Sequence, residues 1–194
     1  NMFEAKIWKL GDDIDTDIIL PTEYLAMKSV EDMKPYAFSP LRDDLAKNIK
    51  PGDMIVTGYN FGCGSSREQA PEVVKAIGVS CIVAKSYARI FFRNAINNGL
   101  LLIEQPDLFD EVAEGDIAKV TPGQEIVVNG KSYLGLLSRS IPNGGEIEII
   151  ICVMEMNDSK SAGSLLPRIL LRCLPSNLRF NLFALWCRNK FLID

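Results

Sequence analysis

Gly62-Cys63-Gly64-Ser65-Ser66-Arg67-Glu68-Gln69 joins a glycine loop to Ala70, Val73, Val74 and Ile77, whose spacing forms one apolar face of a helix. Short β-rich runs at residues 53–57 and 80–85 flank this unit. Strand, loop, helix and strand in that order are the repeating element of an α/β domain with a parallel centre. Working outward, residues 3–10 and 100–104 read as strands, and residues 87–98 as a helix stopped by Gly99. Further strands are expected near 118–120, 125–129 and 146–152, with a hairpin turn at Asn129-Gly130, which makes the later section antiparallel.

The loop also carries chemistry. A helix N-terminus has unpaired backbone N–H groups and the positive end of the helix dipole, so it favours an anion or an alkoxide forming on a serine. Ser65-x-x-Glu68 and Ser66-x-x-Gln69 also fit a capping box, for which one serine is enough. On this spacing Ser66 is the cap, Gln69 is the third helical residue and Arg67 lies in the first turn, where the dipole disfavours a cation. A spare serine beside an arginine so placed suggests a site; a plain helix cap is the competing reading.

With 194 residues, 47% of them hydrophobic, the chain is long enough for one ordinary domain with or without an appendage. No apolar run reaches the roughly 18 residues of a membrane span, and a cytoplasmic protein without membrane contact is expected. The five cysteines are scattered, with no C-x-x-C spacing, which predicts neither a disulfide framework nor a metal site within this chain. Histidine is absent, so acid–base work falls to serine, carboxylate, lysine, tyrosine or a partner.

The formal charge of −4 is unevenly spread. Residues 157–194 carry Lys160, Arg168, Arg172, Arg179, Arg188 and Lys190 against Asp158 and Asp194, leaving an acidic body and a basic tail. An acidic body argues against nucleic acid as ligand, because phosphate neutralisation needs clustered Lys and Arg. The small, polar junction at 157–164 suggests a domain at 1–156 followed by an apolar, basic extension at 157–194.

A second cluster, Gly11-Asp12-Asp13-Ile14-Asp15-Thr16-Asp17-Ile18-Ile19-Leu20-Pro21, invites a calcium reading that fails. An EF-hand loop counted from Asp13 would place Ile18 at the obligatory glycine and Tyr24 at the bidentate glutamate. Four carboxylates so close repel one another, and Arg67 and Lys28 are the cations expected to relieve them.

Taken together, Asp13-Ile14-Asp15-Thr16-Asp17-Ile18-Ile19-Leu20-Pro21, Tyr24-Leu25, Phe61-Gly62-Cys63-Gly64-Ser65-Ser66-Arg67-Glu68 and Tyr87-Ala88-Arg89-Ile90-Phe91-Phe92-Arg93-Asn94-Ala95-Ile96-Asn97-Asn98-Gly99-Leu100 resemble the small subunits of 3-isopropylmalate dehydratase. These are swivelling domains of the aconitase superfamily, and the resemblance spans residues 3–155. It implies a three-layer β/β/α swivelling fold with a mixed sheet, and an enzyme completed by an aconitase-like large subunit. That subunit would carry a [4Fe-4S] cluster on its own cysteines, with none bound by this chain; Cys63, lacking neighbouring cysteines, is not expected to ligate iron. The substrate would be an alkyl-substituted malate, dehydrated and rehydrated so that its hydroxyl moves to the adjacent carbon, a step of leucine biosynthesis. A homo-oligomer of the isolated chain is compatible with the same features.

By the same resemblance Ser65 is the base, Arg67 grips a substrate carboxylate, Ser66 lies beside them, and Asp17 faces the site and orients a cation or another side chain. The stretch after Tyr24-Leu25, associated with recognition of the substituent, reads Ala26-Met27-Lys28-Ser29 and lacks the arginine that follows Tyr-Leu in many archaeal-type relatives. Ala26 and Met27 could face an alkyl group and Lys28 a carboxylate. Arg89, Arg93 and Asn97 recur on one helix face, and a structural role is the expectation for them. Homoaconitate hydratase and 2,3-dimethylmalate dehydratase share the chemistry, and a non-catalytic small-acid binding module is the rival of another class. A neighbouring reading frame for an aconitase-like large subunit separates enzyme from module.

Overall fold

The computed structural model describes residues 2–152 apart from 123–124, 135 and 144–145, and for 136–143 and 146–152 only the path of the strands. The expected boundary at 156 and the tail at 157–194 lie outside the described residues. Nine strands form one sheet: β1 (Phe3–Lys9), β2 (Met54–Thr57), β3 (Cys81–Ala84), β4 (Leu101–Glu104), β5 (Ile117–Thr121), β6 (Glu125–Val128), β7 (Lys131–Tyr133), β8 (Leu136–Asn143) and β9 (Glu146–Cys152). Their order is β7-β6-β5-β1-β2-β3-β4-β8-β9. β1 to β4 run parallel, with Ile7 opposite Met54, Met54 opposite Cys81 and Cys81 opposite Leu101; all other pairings are antiparallel.

Parallel strands at the centre of a sheet are covered on both faces, so their sequences are apolar throughout. Because side chains alternate across the sheet, Met54, Val56, Cys81, Val83, Leu101 and Ile103 enter one core while Ile55, Ile82, Ala84 and Leu102 enter the other. The first core is closed by Ala118, Val120, Ile126, Val128 and Tyr133 from β5–β7, so the antiparallel strands fold over the parallel ones as a second β layer. Helices close the other: α4 (Gln69–Ala76), α5 (Arg89–Asn97) and the irregular segment between β1 and β2. That segment holds three one-turn α-helices, α1 (Thr16–Ile19), α2 (Val30–Met33) and α3 (Leu45–Asn48), with 3-10 turns at Thr22–Tyr24 and Lys34–Tyr36, while α6 (Leu108–Glu111) packs into the first core. This is the expected β/β/α arrangement with a parallel centre.

Strands expected at 3–10, 53–57, 80–85, 100–104, 118–120, 125–129 and 146–152 are present to within about two residues, the usual uncertainty of element ends. Two strands were not foreseen. β7 is three mostly polar residues, recruited as the return arm of the Asn129-Gly130 hairpin, where both residues have positive φ. β8 fills the place between β4 and β9. Among the described residues no helix is long and apolar enough to cross a membrane.

α4 buries Ala70, Val73, Val74 and Ile77, as its spacing predicts. α5 buries Phe91, Ala95 and Ile96, and its Phe91 ring meets Phe61 edge-on at 5.2 Å. Phe91→Ala should therefore cost about 3–5 kcal/mol in a urea titration, the range for emptying a buried aromatic site. A loss within about 1 kcal/mol would show that the α5 face can close over the gap.

Candidate active site

The loops that follow β1, β2 and β3 meet at the carboxyl ends of the parallel strands, the edge where α/β sheets bind ligands. They are laced by backbone bonds. The Gly62 N–H donates to Ile14 O at 2.7 Å, Thr16 N–H to Cys63 O at 2.8 Å, Phe61 N–H to Ser86 O at 3.1 Å and Ala88 N–H to Phe61 O at 2.9 Å. Gly62 has φ +80°, and a Cβ there would lie 2.1 Å from Cγ of the buried Phe91. Only glycine lets the chain pass over this ring. Gly64 has φ +94°, and a Cβ on it would lie 3.2 Å from Thr16 Oγ1.

The acidic run proves to be stitching. Asp12 Oδ1 accepts from Tyr59 N–H at 2.7 Å, Asp13 Oδ1 from Asn60 Nδ2 at 2.9 Å, and Asp15 Oδ1 caps α1 by accepting from Ile18 N–H at 2.7 Å. Asp17 turns toward the glycine loop. Arg67 Nη1 lies 2.7 Å from Asp17 Oδ1 and donates to Leu20 O at 3.2 Å, while Nη2 donates to Thr22 Oγ1 at 2.9 Å. Thr22 in turn donates to Asp17 Oδ1 at 2.8 Å, closing a ring of three side chains. The hydrogen bond from Thr22, followed by that from Arg67, lowers the Asp17 carboxyl below its ordinary 3.8.

Of the guanidinium's three nitrogens, Nη1 donates to Leu20 O and pairs with Asp17, and Nη2 donates to Thr22 Oγ1. Oδ1 of Asp17 and Oγ1 of Thr22 are spaced to take the fork formed by Nη1 and Nη2. The side edge includes Nε–H, which has no hydrogen-bond partner among the described residues. That edge is shaped for a carboxylate. Arg67 thus joins Asp17 as expected, whereas Lys28 is exposed and forms no ion pair among the described residues.

Ser65 and Ser66 are exposed, and neither hydroxyl is bonded among the described residues. The expected cap is overturned. α4 begins at Gln69 with Glu68 as its first flanking residue and no side-chain cap, because the loop stays non-helical through Arg67. Arg67 consequently precedes the first turn and does not oppose the dipole from within it. The open helix end leaves its leading N–H groups free for an anion.

The stretch after Tyr24-Leu25 is pinned at both ends. Tyr24 stacks on Tyr36 at 3.9 Å, and Ser29 caps α2 by accepting from Asp32 N–H at 3.2 Å. Between them Ala26 and Lys28 are exposed and Met27 packs half-buried against the main core. Arg89, Arg93 and Asn97 are all exposed on α5, so they contribute nothing to the core. Sequence reasoning missed Thr22, Thr16 and the Leu20 carbonyl; nothing marks a threonine five residues beyond an aspartate as the piece that joins it to an arginine 45 positions away.

Among the described residues no group of three or more His, Cys, Asp or Glu side chains could hold a metal. A [4Fe-4S] cluster is held by several cysteine thiolates, and the two described cysteines, Cys63 and Cys81, belong to no such group. Burial pushes Cys81 up to about 12, and burial with the Asp15 and Asp13 charges raises Cys63.

Comparison with known proteins agrees with this geometry. Residues 15–108 match the family model of the aconitase C-terminal domain. A 3-isopropylmalate dehydratase small subunit of Lachnospira eligens is 72% identical over 131 residues, covering 68% of this chain and 80% of that protein. The chain belongs to the family of 3-isopropylmalate dehydratase small subunits. The isopropylmalate/citramalate isomerase small subunit of Methanocaldococcus jannaschii is 48% identical over 120 residues, covering 62% of this chain and 71% of the relative. A crystal structure of 3-isopropylmalate dehydratase from the same organism superposes with a TM-score of 0.67 at 39% identity, over 74% of this chain and 84% of that one. At that identity the shared fold of the family extends to its swivelling-domain architecture.

Since the folded Asp17 pKa is lowered, the Arg67–Thr22 contacts contribute their stabilisation in full above the ordinary aspartate value of 3.8. That contribution is lost as pH falls through the lowered folded value. A carboxyl NMR titration should find Asp17 below 3.8 and Thr22→Val should move it upward; an unmoved midpoint would show that the threonine does not support the pair.

Proposed function

We propose that this chain is the small subunit of a two-subunit hydro-lyase that interconverts 2-isopropylmalate and 3-isopropylmalate in leucine biosynthesis. One observation carries the reading. Two serines whose hydroxyls have no bond among the described residues precede an arginine whose Nη1 and Nη2 are engaged by Asp17, Leu20 and Thr22 and whose Nε has no partner there. The Nε edge of such an arginine takes a substrate carboxylate at two points, which lysine cannot reproduce. Ser65 then accepts the proton from the carbon next to that carboxylate, its alkoxide stabilised by the Arg67 charge and by backbone N–H groups at the open end of α4. Ser66 supplies a second hydroxyl to the bound acid, and Asp17 holds Arg67 in register.

The partner is an aconitase-like large subunit that carries a [4Fe-4S] cluster and covers the exposed serines. When bound, such a cluster supplies the Lewis acid for loss of the hydroxyl. No described residue of this chain is assigned to holding it. Ala26, Met27 and Lys28 lie where the substituent is read, with the alkyl group against Ala26 and Met27 and Lys28 toward a carboxylate. A relative named for both isopropylmalate and citramalate favours tolerance of a methyl as well as an isopropyl group at this place. The working domain is residues 1–156 in the cytoplasm. Residues 157–194 lie outside it, as their basic, apolar composition after the polar junction at 157–164 suggests.

Mixing the purified chain anaerobically with its iron-loaded large subunit should yield isomerase activity absent from the chain alone. Turnover by the chain alone would sink the assignment. In that assay Ser65→Ala should abolish turnover while subunit affinity persists. Ser66→Ala should leave stability within about 0.5 kcal/mol, because its hydroxyl caps nothing. Near-normal kcat for Ser65→Ala would remove the base.

The substituent has its own test. Ala26→Arg should lower kcat/KM for 3-isopropylmalate relative to a longer dicarboxylate-bearing malate, a shift on the scale of the about 1–3 kcal/mol by which apolar pockets discriminate. An unchanged preference in a competition assay would move substrate choice to the large subunit.

A further inference from the structure

Thr16 Oγ1 is the one side-chain polar atom among the described residues that is buried without a hydrogen-bond partner. The residue is 1% exposed. An unpaired buried hydroxyl is costly, and valine would fill the same branched shape without that cost. The atom does not sit in an anonymous part of the core. It faces the α-carbon of Gly64, since a Cβ there would lie 3.2 Å from it, and the Thr16 N–H is already tied to Cys63 O at 2.8 Å. The peptide that follows Gly64 carries the N–H of Ser65. Among the described residues the backbone N–H groups of Gly64, Ser65 and Ser66 also have no hydrogen bond. An unmatched acceptor therefore lies beside a run of unmatched donors, separated by a glycine at positive φ.

We propose that Thr16 is a positioning residue for the serine loop: in the assembled enzyme its Oγ1 accepts a hydrogen bond from the backbone N–H of Ser65. The inference rests on the two-subunit function proposed above. Closure of the large subunit over the exposed loop turns the Gly64–Ser65 peptide toward Thr16, and the bond fixes the direction in which the Ser65 hydroxyl points. Misplacement of a reacting group by even a fraction of an ångström weakens catalysis, which is why a hydroxyl idle in the free chain is worth its place.

The experiment compares wild type, Thr16→Val and Thr16→Ser, each as the full chain, alone and assembled with the iron-loaded large subunit. Thr16→Val should leave the melting temperature of the free chain unchanged or higher, since it deletes an unpaired polar atom. In the assembled enzyme its kcat for 3-isopropylmalate should fall about tenfold, with KM within about twofold of wild type, and Thr16→Ser should restore most of the loss. Hydrogen exchange adds a readout independent of turnover. The Ser65 amide should gain protection on assembly in wild type and Thr16→Ser but not in Thr16→Val. A Thr16→Val chain that melts lower or fails to fold would show the hydroxyl already bonded in the free chain, and would overturn the proposal. So would an unaltered kcat, or a Ser65 amide equally protected in both proteins. A wild-type pair that assembles without isomerase activity would instead refute the function, while Ser65 exchange still decides the contact.

Discussion

The ring of Phe91 occupies the space that any side chain at position 62 would need, and the serine loop takes its course from that exclusion. Phe91 is held in place by α5 and by its edge-on contact with Phe61, so it forms a rigid floor beneath the loop. Over that floor the chain is a bare backbone at positive φ, bonded to Ile14 and followed by a second glycine that abuts Thr16. The result is a loop anchored at Gly62 and Cys63 whose Ser65 and Ser66 hydroxyls and N–H groups have no partner among the described residues, while Ser65 O accepts from the Arg67 N–H at 2.9 Å.

The same edge of the sheet gathers the acidic run. Its carboxylates do not share a cation but divide the local donors among themselves: Tyr59 and Asn60 after β2, Ile18 at the start of α1, and Arg67 with Thr22 beyond it. The bonds to Tyr59, Asn60 and Arg67 tie the loop after β1 to the loop after β2, and those to Ile18 and Thr22 hold it within itself. Asp17, more exposed than Arg67, fixes the arginine by one edge and leaves the other edge available. An arginine held in this way meets an incoming carboxylate with its geometry already set, so little orientation is lost on binding.

Among the described residues three kinds of group are left without partners at this edge: the serine hydroxyls, the N–H groups of residues 64–66, and the Thr16 hydroxyl. In a free chain the exposed members find water, but Thr16 cannot. On the two-subunit function proposed above, such unmatched polarity is satisfied in the assembled site and not on the free surface. The open start of α4, with no side chain capping it, belongs to the same pattern.

Periodicity alone placed the parallel centre, the α4 and α5 faces and the antiparallel later strands, since apolar runs buried on both sides of a sheet leave a local signature. The motif residues 13–21, 24–25, 61–68 and 87–100 together carried the family resemblance, and the charge repulsion among the aspartates foretold that Arg67 would join them. Other features were beyond a linear reading. A capping box at Ser66 is a local pattern, yet the loop over Phe91 delays the helix to Gln69 and leaves that pattern unused. β7 forms because a hairpin turn brings a weak strand back to β6, and Lys28 stays apart from the aspartates although it is near them in sequence. Thr16 and Thr22 differ from ordinary turn threonines only in what the fold sets beside them, a glycine α-carbon for one and an Asp17–Arg67 pair for the other. Sequence by itself determined which residues could bury, turn or ionise; tertiary structure decided which polar groups met and which were left open, because hydrogen bonds depend on distances that only the packed chain defines.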